Sequence, residues 1–210
     1  MAPDQVTPQP PPPLPEIGPM THRILGVDPG LNITGYGVLE VTPAGLRVCE
    51  AGVVRGRSRG DLVARVHEIH TGLAEVIAAL RPTAMALEQL YSHVKQPRTS
   101  ILMAHARGVI CLAAAQAGVP VTSYSATQIK KVLTGAGRAP KGQIQLAIQR
   151  ELKLSQAPEP ADVADALATA ICHYYLSVRR TLAAGGDALR PQRPLGAPPS
   201  TASQPRKLAP

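Results

Sequence analysis

The sequence predicts an α/β domain on a five-stranded mixed sheet, with three antiparallel and two parallel strands flanked by helices. Two observations carry that prediction. Three strand-like segments follow one another between residues 23 and 55 with no room for a helix, which implies an antiparallel meander. Beyond residue 60 helical and strand-like segments alternate, which implies crossover connections and strands laid parallel.

The elements follow in order. Residues 24–27, ILGV, read as a strand buried on both faces, and Asp28 then marks its end, because an unpaired buried charge costs several kcal/mol. Pro29 cannot donate to a sheet ladder and Gly30 suits a turn, so the chain reverses there and returns over 33–40. Residues 46–55 alternate well enough for a third strand. Over 61–80, Leu62, Val66, Ile69, Leu73, Val76, Ile77 and Leu80 recur at helical spacing, and Pro82 follows the end. A strand is expected at 84–87 and a helix rich in small residues at 99–117. After Gly118 come a strand at 120–124, helices at 126–133 and 141–152, and a long helix over 160–182.

Composition bounds the protein further. Residues 1–21 hold the tract PQPPPPLPEIGP, and residues 183–210 are rich in Pro, Ala, Ser and Gly, so neither end buries enough apolar surface to fold. One domain is expected over residues 22–182, between a disordered Pro-rich N-terminal tail and a disordered basic C-terminal tail. No apolar run approaches the ~20 residues that span a bilayer, and no positive segment precedes an apolar one at the N-terminus. A cytoplasmic protein with no membrane partner is expected. Cys49, Cys111 and Cys172 are odd in number and far apart, which points to reduced packing residues rather than a disulfide framework or zinc site. Phe and Trp are absent, so the core must be aliphatic. Residues 22–182 carry 18 Lys and Arg against 11 Asp and Glu, and such a basic domain favours a polyanionic partner such as nucleic acid.

The acids carry the chemistry. In MALEQLY, Glu88 closes the fourth strand as Asp28 closes the first, so parallel pairing of those strands would put both acids at one edge of the sheet, where open sheets bind ligands. Asp162 and Asp165, in PEPADVADALATAICH, are three apart near a helix start and share a face. Acids there also complement the helix dipole, but the apolar remainder of that helix, Ala166, Leu167, Ala170 and Ile171, directs the acidic turn toward the strand ends. Four carboxylates in one cleft need divalent cations to neutralise them. An all-oxygen cluster selects Mg²⁺ or Mn²⁺, and two such ions ~3.5 to 4 Å apart suit phosphodiester hydrolysis.

Four segments, ILGVDPGLNITGYGVLE, ALEQLY, SATQIKKVLTG with the lysine of APKGQIQ, and ADVADALATAICH, stand in order. Together they resemble the RuvC-type Holliday junction resolvases, a branch of the ribonuclease H-like superfamily, over about residues 22–180. The resemblance implies that Asp28, Glu88, Asp162 and Asp165 are the catalytic, metal-holding acids. It implies a homodimer that nicks two like-polarity strands of a four-way junction, with branch-migration motors of the RuvA and RuvB type as partners. The dimer would use the helix of residues 99–117, whose Ala104, Ala106, Gly108, Ala113 and Ala114 permit close approach. Tyr91 stands where the family commonly has Phe, keeping a ring for base contact and adding a hydroxyl. Lys130 and Lys141 match basic positions near the scissile strand, where a lysine binds phosphate without reading sequence. Lys131, Arg138, Lys95, Arg98 and Arg107 extend a candidate DNA-binding track. His173, two helical turns beyond Asp165, reads as structural.

Two other functions fit parts of the pattern. The hairpin around Asp28 also resembles the phosphate-binding hairpin of actin-like and sugar-kinase ATPases, but those clamp a nucleotide between two such domains, and one domain of this length supplies only one. A branched-DNA-binding protein without cleavage is the other alternative, and four acids in a phosphate-binding cleft count against it.

Overall fold

The computed structural model describes residues 22–56, 61–90 and 97–178, with the side chains of Pro97 and Arg98 left aside. Both expected tails and the domain boundaries beside them lie outside these residues. β1 (Arg23–Asp28), β2 (Ile33–Thr42) and β3 (Gly45–Arg55) form the expected meander. α1 (Leu62–Leu80) then leads to β4 (Ala84–Glu88), which pairs parallel with β1. α2 (Pro97–Gln116) leads to β5 (Val121–Tyr124), parallel with β4. The sheet order is β3-β2-β1-β4-β5. Three helices follow, α3 (Ala126–Thr134), α4 (Lys141–Glu151) and α5 (Ala161–His173).

The helix over 160–182 was expected to run unbroken. Its α-helical part instead ends at His173 and widens into a π-helical turn, Tyr174–Val178, where Tyr174 and Tyr175 meet edge to face and the Tyr175 hydroxyl donates to Glu151.

The side-chain period of two divides the sheet into two aliphatic cores. On one face Leu25, Val27, Val38, Met85 and Leu87 meet Ile69, Leu73 and Ile77 of α1 and Ala106, Ile110, Ala113 and Ala114 of α2. Three of the five small residues expected at a dimer contact therefore face inward, because the apolar side of α2 packs on α1 and the sheet. Ala104 and Gly108 are exposed, as are Ile101 and Leu112 on the same helix. On the opposite face Ile24, Leu39 and Ala86 pack against α5, with Ile129 of α3 and Ile144 and Ile148 of α4 completing the layer.

α5 lies unusually close to β1 and β2, and three glycines on that face permit it. A Cβ at Gly35 would stand 2.0 Å from the Asp162 carbonyl oxygen, and one at Gly26 would stand 2.1 Å from that of Ala166. A Cβ at Gly37 would meet the Leu167 side chain at 2.5 Å. In the register Asp28 opposes Gly35 and Gly26 opposes Gly37, so the three form one patch beneath the helix. Ala166 and Ala170 keep the helix side of the contact equally small. His173 is buried farther along α5, with Nδ1 3.0 Å from the Tyr124 hydroxyl; burial and nearby His22 push it down to about 4. The imidazole is thus neutral and structural, as expected.

Gly26→Ala and Gly35→Ala should each destabilise the fold by about 1–3 kcal/mol or more, since the atoms they strike are helix backbone. Gly142→Ala, where an added Cβ meets nothing within 4 Å, should be neutral or stabilising by up to ~1 kcal/mol. Chemical denaturation of the three variants checks this.

Candidate active site

Asp28 and Glu88 are the last residues of β1 and β4, separated by two strands in chain order but adjacent in the sheet. The pairing Val27 to Leu87 sets the two acids side by side, on the face that carries α5. Beyond Asp28 the hairpin is closed by Thr34, whose buried hydroxyl donates to the Gly30 carbonyl at 2.7 Å and accepts the Gly30 amide at 3.4 Å. Asn32, in the same turn, accepts from the Arg65 guanidinium of α1. Asp162 lies in the first turn of α5 and Asp165 one turn later. The glycine patch brings that end of α5 down onto the strand ends, so the Asp162 main chain rests over Gly35, directly opposite Asp28 in the ladder.

Asp28, Glu88 and Asp165 line a cleft of about 290 Å³ together with Lys130 of α3 and Lys141 of α4, over a floor that includes Ile129 and Ile144. Lys130 is held by α3, which starts with a reciprocal capping box between Ser125 and Gln128. Asp162 stands beside the cleft, close enough to act on Asp28 electrostatically.

The carboxyl groups are strongly perturbed. Burial, then repulsion from Glu88, Asp165 and Asp162, pushes Asp28 up to about 7, while Lys141 opposes the rise. Burial and Asp165 push Glu88 up to about 7 against Lys130. Asp165 is raised chiefly by burial, with Lys141 the largest opposing influence. Two half-buried acids that resist ionisation near neutrality mark a site arranged for a counter-charge. Among the described residues no three His, Cys, Asp or Glu side chains are already gathered into metal-coordinating geometry. Mutual repulsion disfavours such a cluster, and the donor set is all oxygen, as hard divalent cations require.

The family model described as crossover junction endodeoxyribonuclease RuvC matches residues 24–173. The chain belongs to the RuvC family. It is 59% identical over 156 residues to the crossover junction endodeoxyribonuclease RuvC of Rhodopirellula baltica, spanning 73% of this chain and 86% of that one. The Thermus thermophilus RuvC structure in complex with Holliday junction substrate superposes with a TM-score of 0.71 at 34% identity, covering 76% of this chain and 97% of that one. A yeast mitochondrial Holliday junction resolvase, Ydc2, at 14% identity and a TM-score of 0.52, shares the fold. Membership of the RuvC family makes this chain a Holliday junction resolvase, an endonuclease with the divalent-metal dependence of its class.

Four of the expected site residues thus meet in the RuvC-type cleft with Lys130, and Asp162 stands beside it. Tyr91 and Lys95 lie outside the described residues, as does the side chain of Arg98. Lys131 and Arg138 are exposed near the cleft helices. Arg107, expected on the basic track, is half-buried and directs its guanidinium inward to Glu88 and Ser123. The sequence reading missed Thr34 and the glycine patch. Gly35 and Gly37 at alternate positions of one strand, with Gly26 on the strand before it, were the available signal.

Raised acids bind more protons folded than unfolded, so Asp28 and Glu88 cost the metal-free protein stability as pH climbs from about 4 to about 7. Asp28→Asn removes one such charge. In chelator, its melting temperature relative to the unaltered chain should therefore rise between pH 4 and pH 8, and thermal denaturation at both values checks the sign.

Proposed function

We propose that this chain hydrolyses one phosphodiester in each of two like-polarity strands of a four-way DNA junction, acting in the cytoplasm as a homodimer with one carboxylate cleft per nicked strand. The observation that carries this reading is the meeting of Asp28, Glu88 and Asp165 with Lys130 and Lys141 in one cleft. Asp28, Glu88, Asp162 and Asp165 would hold two Mg²⁺ or Mn²⁺ ions. Such ions supply an activated water and stabilise the leaving oxygen.

The chain's own residues do the rest. Lys130 and Lys141 enter from separate helices and flank the acids, so a phosphate meets positive charge on the side where Asp28, Glu88 and Asp165 would otherwise repel it. Aliphatic Ile129 and Ile144 limit water around the scissile bond. Tyr91, three residues after Glu88 in the sequence, would stack on an unpaired base at the crossover. Ile101, Gly108 and Leu112 form an exposed stripe on α2 suited to a second copy. A branch-migration motor of the RuvA and RuvB type would deliver the junction.

Cleavage of synthetic four-way junctions with Mg²⁺ or Mn²⁺ tests this. Asp28→Asn or Glu88→Gln should lower cleavage by on the order of 100-fold or more, with junction binding equal or tighter because a negative charge near phosphate is gone. Cutting retained by either variant would defeat the assignment. Lys141→Ala should lower the slope of log affinity against log salt by about 0.9 on any DNA, as binding titrations at several salt concentrations will show.

A further inference from the structure

We propose that Arg107 is a positioning residue for Glu88, clamping the end of β4 from α2 and so setting how well the acidic cleft accepts a divalent cation. The proposal rests on the metal-site reading above. Arg107 Nη1 donates to the main-chain carbonyl oxygen of Glu88 at 2.5 Å, and Nη2 donates to Ser123 Oγ at 2.5 Å. Glu88 is the final residue of β4 and Ser123 belongs to β5, so one planar guanidinium ties two adjacent strands together at their cleft end.

That tie falls at the last rung of the sheet, where Glu88 still pairs with Tyr124 of β5 but has no register partner on β1. Upstream, Leu87 is locked in the ladder between Val27 and Ser123. Downstream, one amide, that of Gln89, bonds to the Tyr124 carbonyl at 2.8 Å before the chain leaves β5. The Glu88 carboxylate also stands close to those of Asp28 and Asp165, whose repulsion works to swing it out of the cleft. A charge-assisted bond to the Glu88 carbonyl resists that displacement through the backbone. Arg107 and Glu88 form no side-chain ion pair, so the guanidinium leaves the carboxylate's oxygens available for a cation. Its position between the buried Ala106 and Ile110 keeps it on the inward side of α2. A ligand carboxylate needs placement to within about 0.5 Å, which the supporting residues must provide.

The test uses the full chain without DNA, titrated with Mn²⁺ while the free ion is followed by electron paramagnetic resonance. Arg107→Met should weaken Mn²⁺ binding by about 10-fold or more and raise the Mn²⁺ needed for half-maximal junction cleavage by the same factor. Arg107→Lys and Ser123→Ala, which each keep part of the tie, should fall between Arg107→Met and the unaltered chain, and they carry the test if Arg107→Met does not fold. Junction binding in chelator should keep its salt slope in all three. Unchanged Mn²⁺ affinity with a lower melting temperature would make Arg107 a packing residue and overturn the proposal. A salt slope lowered by about 0.9 at unchanged Mn²⁺ affinity would make it a phosphate contact and overturn it equally. Failure of the metal-site reading looks different, because Glu88→Gln would then bind Mn²⁺ as the unaltered chain does.

Discussion

The contact between α5 and the glycine face of β1 and β2 governs the rest of the molecule. The carbonyl oxygens of Asp162 and Ala166 occupy space that a Cβ would take at Gly35 and Gly26. Glycine within a strand is entropically unfavourable, by roughly 0.5–1 kcal/mol relative to alanine, and the hairpin carries three on one face. The return is close packing of a helix made of small residues, with Ala164, Ala166, Ala168 and Ala170 all buried. A bulkier face would lift α5 and carry Asp162 and Asp165 away from Asp28. The same contact that completes one core therefore also sets the spacing of the acids.

That spacing is electrostatically unfavourable, and the surrounding structure is arranged to withstand it. Asp28 and Glu88 sit where burial and mutual repulsion push both to about 7. Two aliphatic cores, one on each face of the sheet, hold the strand ends that bear them. Lys130 and Lys141 reach the cleft from two further helices and offset part of the repulsion. Thr34 closes the turn at Gly30, two residues beyond Asp28, and Arg107 bonds the main-chain carbonyl of Glu88 itself, so both supports leave the carboxylates free. A cleft with surplus negative charge and nearby lysines suits a substrate that brings phosphate and cations together.

Much of this was legible in the sequence. Apolar runs ending in a single acid marked Asp28 and Glu88 as strand-terminal, because a lone charge inside either strand would have been prohibitively costly. Helical spacing placed Asp162 and Asp165 on one face of one helix, and the order of strands and helices implied β1 beside β4. The motifs around these residues were specific enough to point to the RuvC family. Periodicity, however, reports only which residues share a face of their own element. The five small residues of α2 looked equivalent as sequence, yet Ala106, Ala113 and Ala114 turn to the core while Ala104 and Gly108 stay exposed. Arg107 looked like one more basic residue on a DNA-binding track. Its partners, a carbonyl at the end of β4 and a hydroxyl on β5, are 19 and 16 residues away and adjoin it only after α2 has packed on the sheet. Local chemistry determined which groups this chain carries and where each element stops. Tertiary packing decided which groups meet, because the distance between α5 and the sheet depends on contacts across residues far apart in the chain.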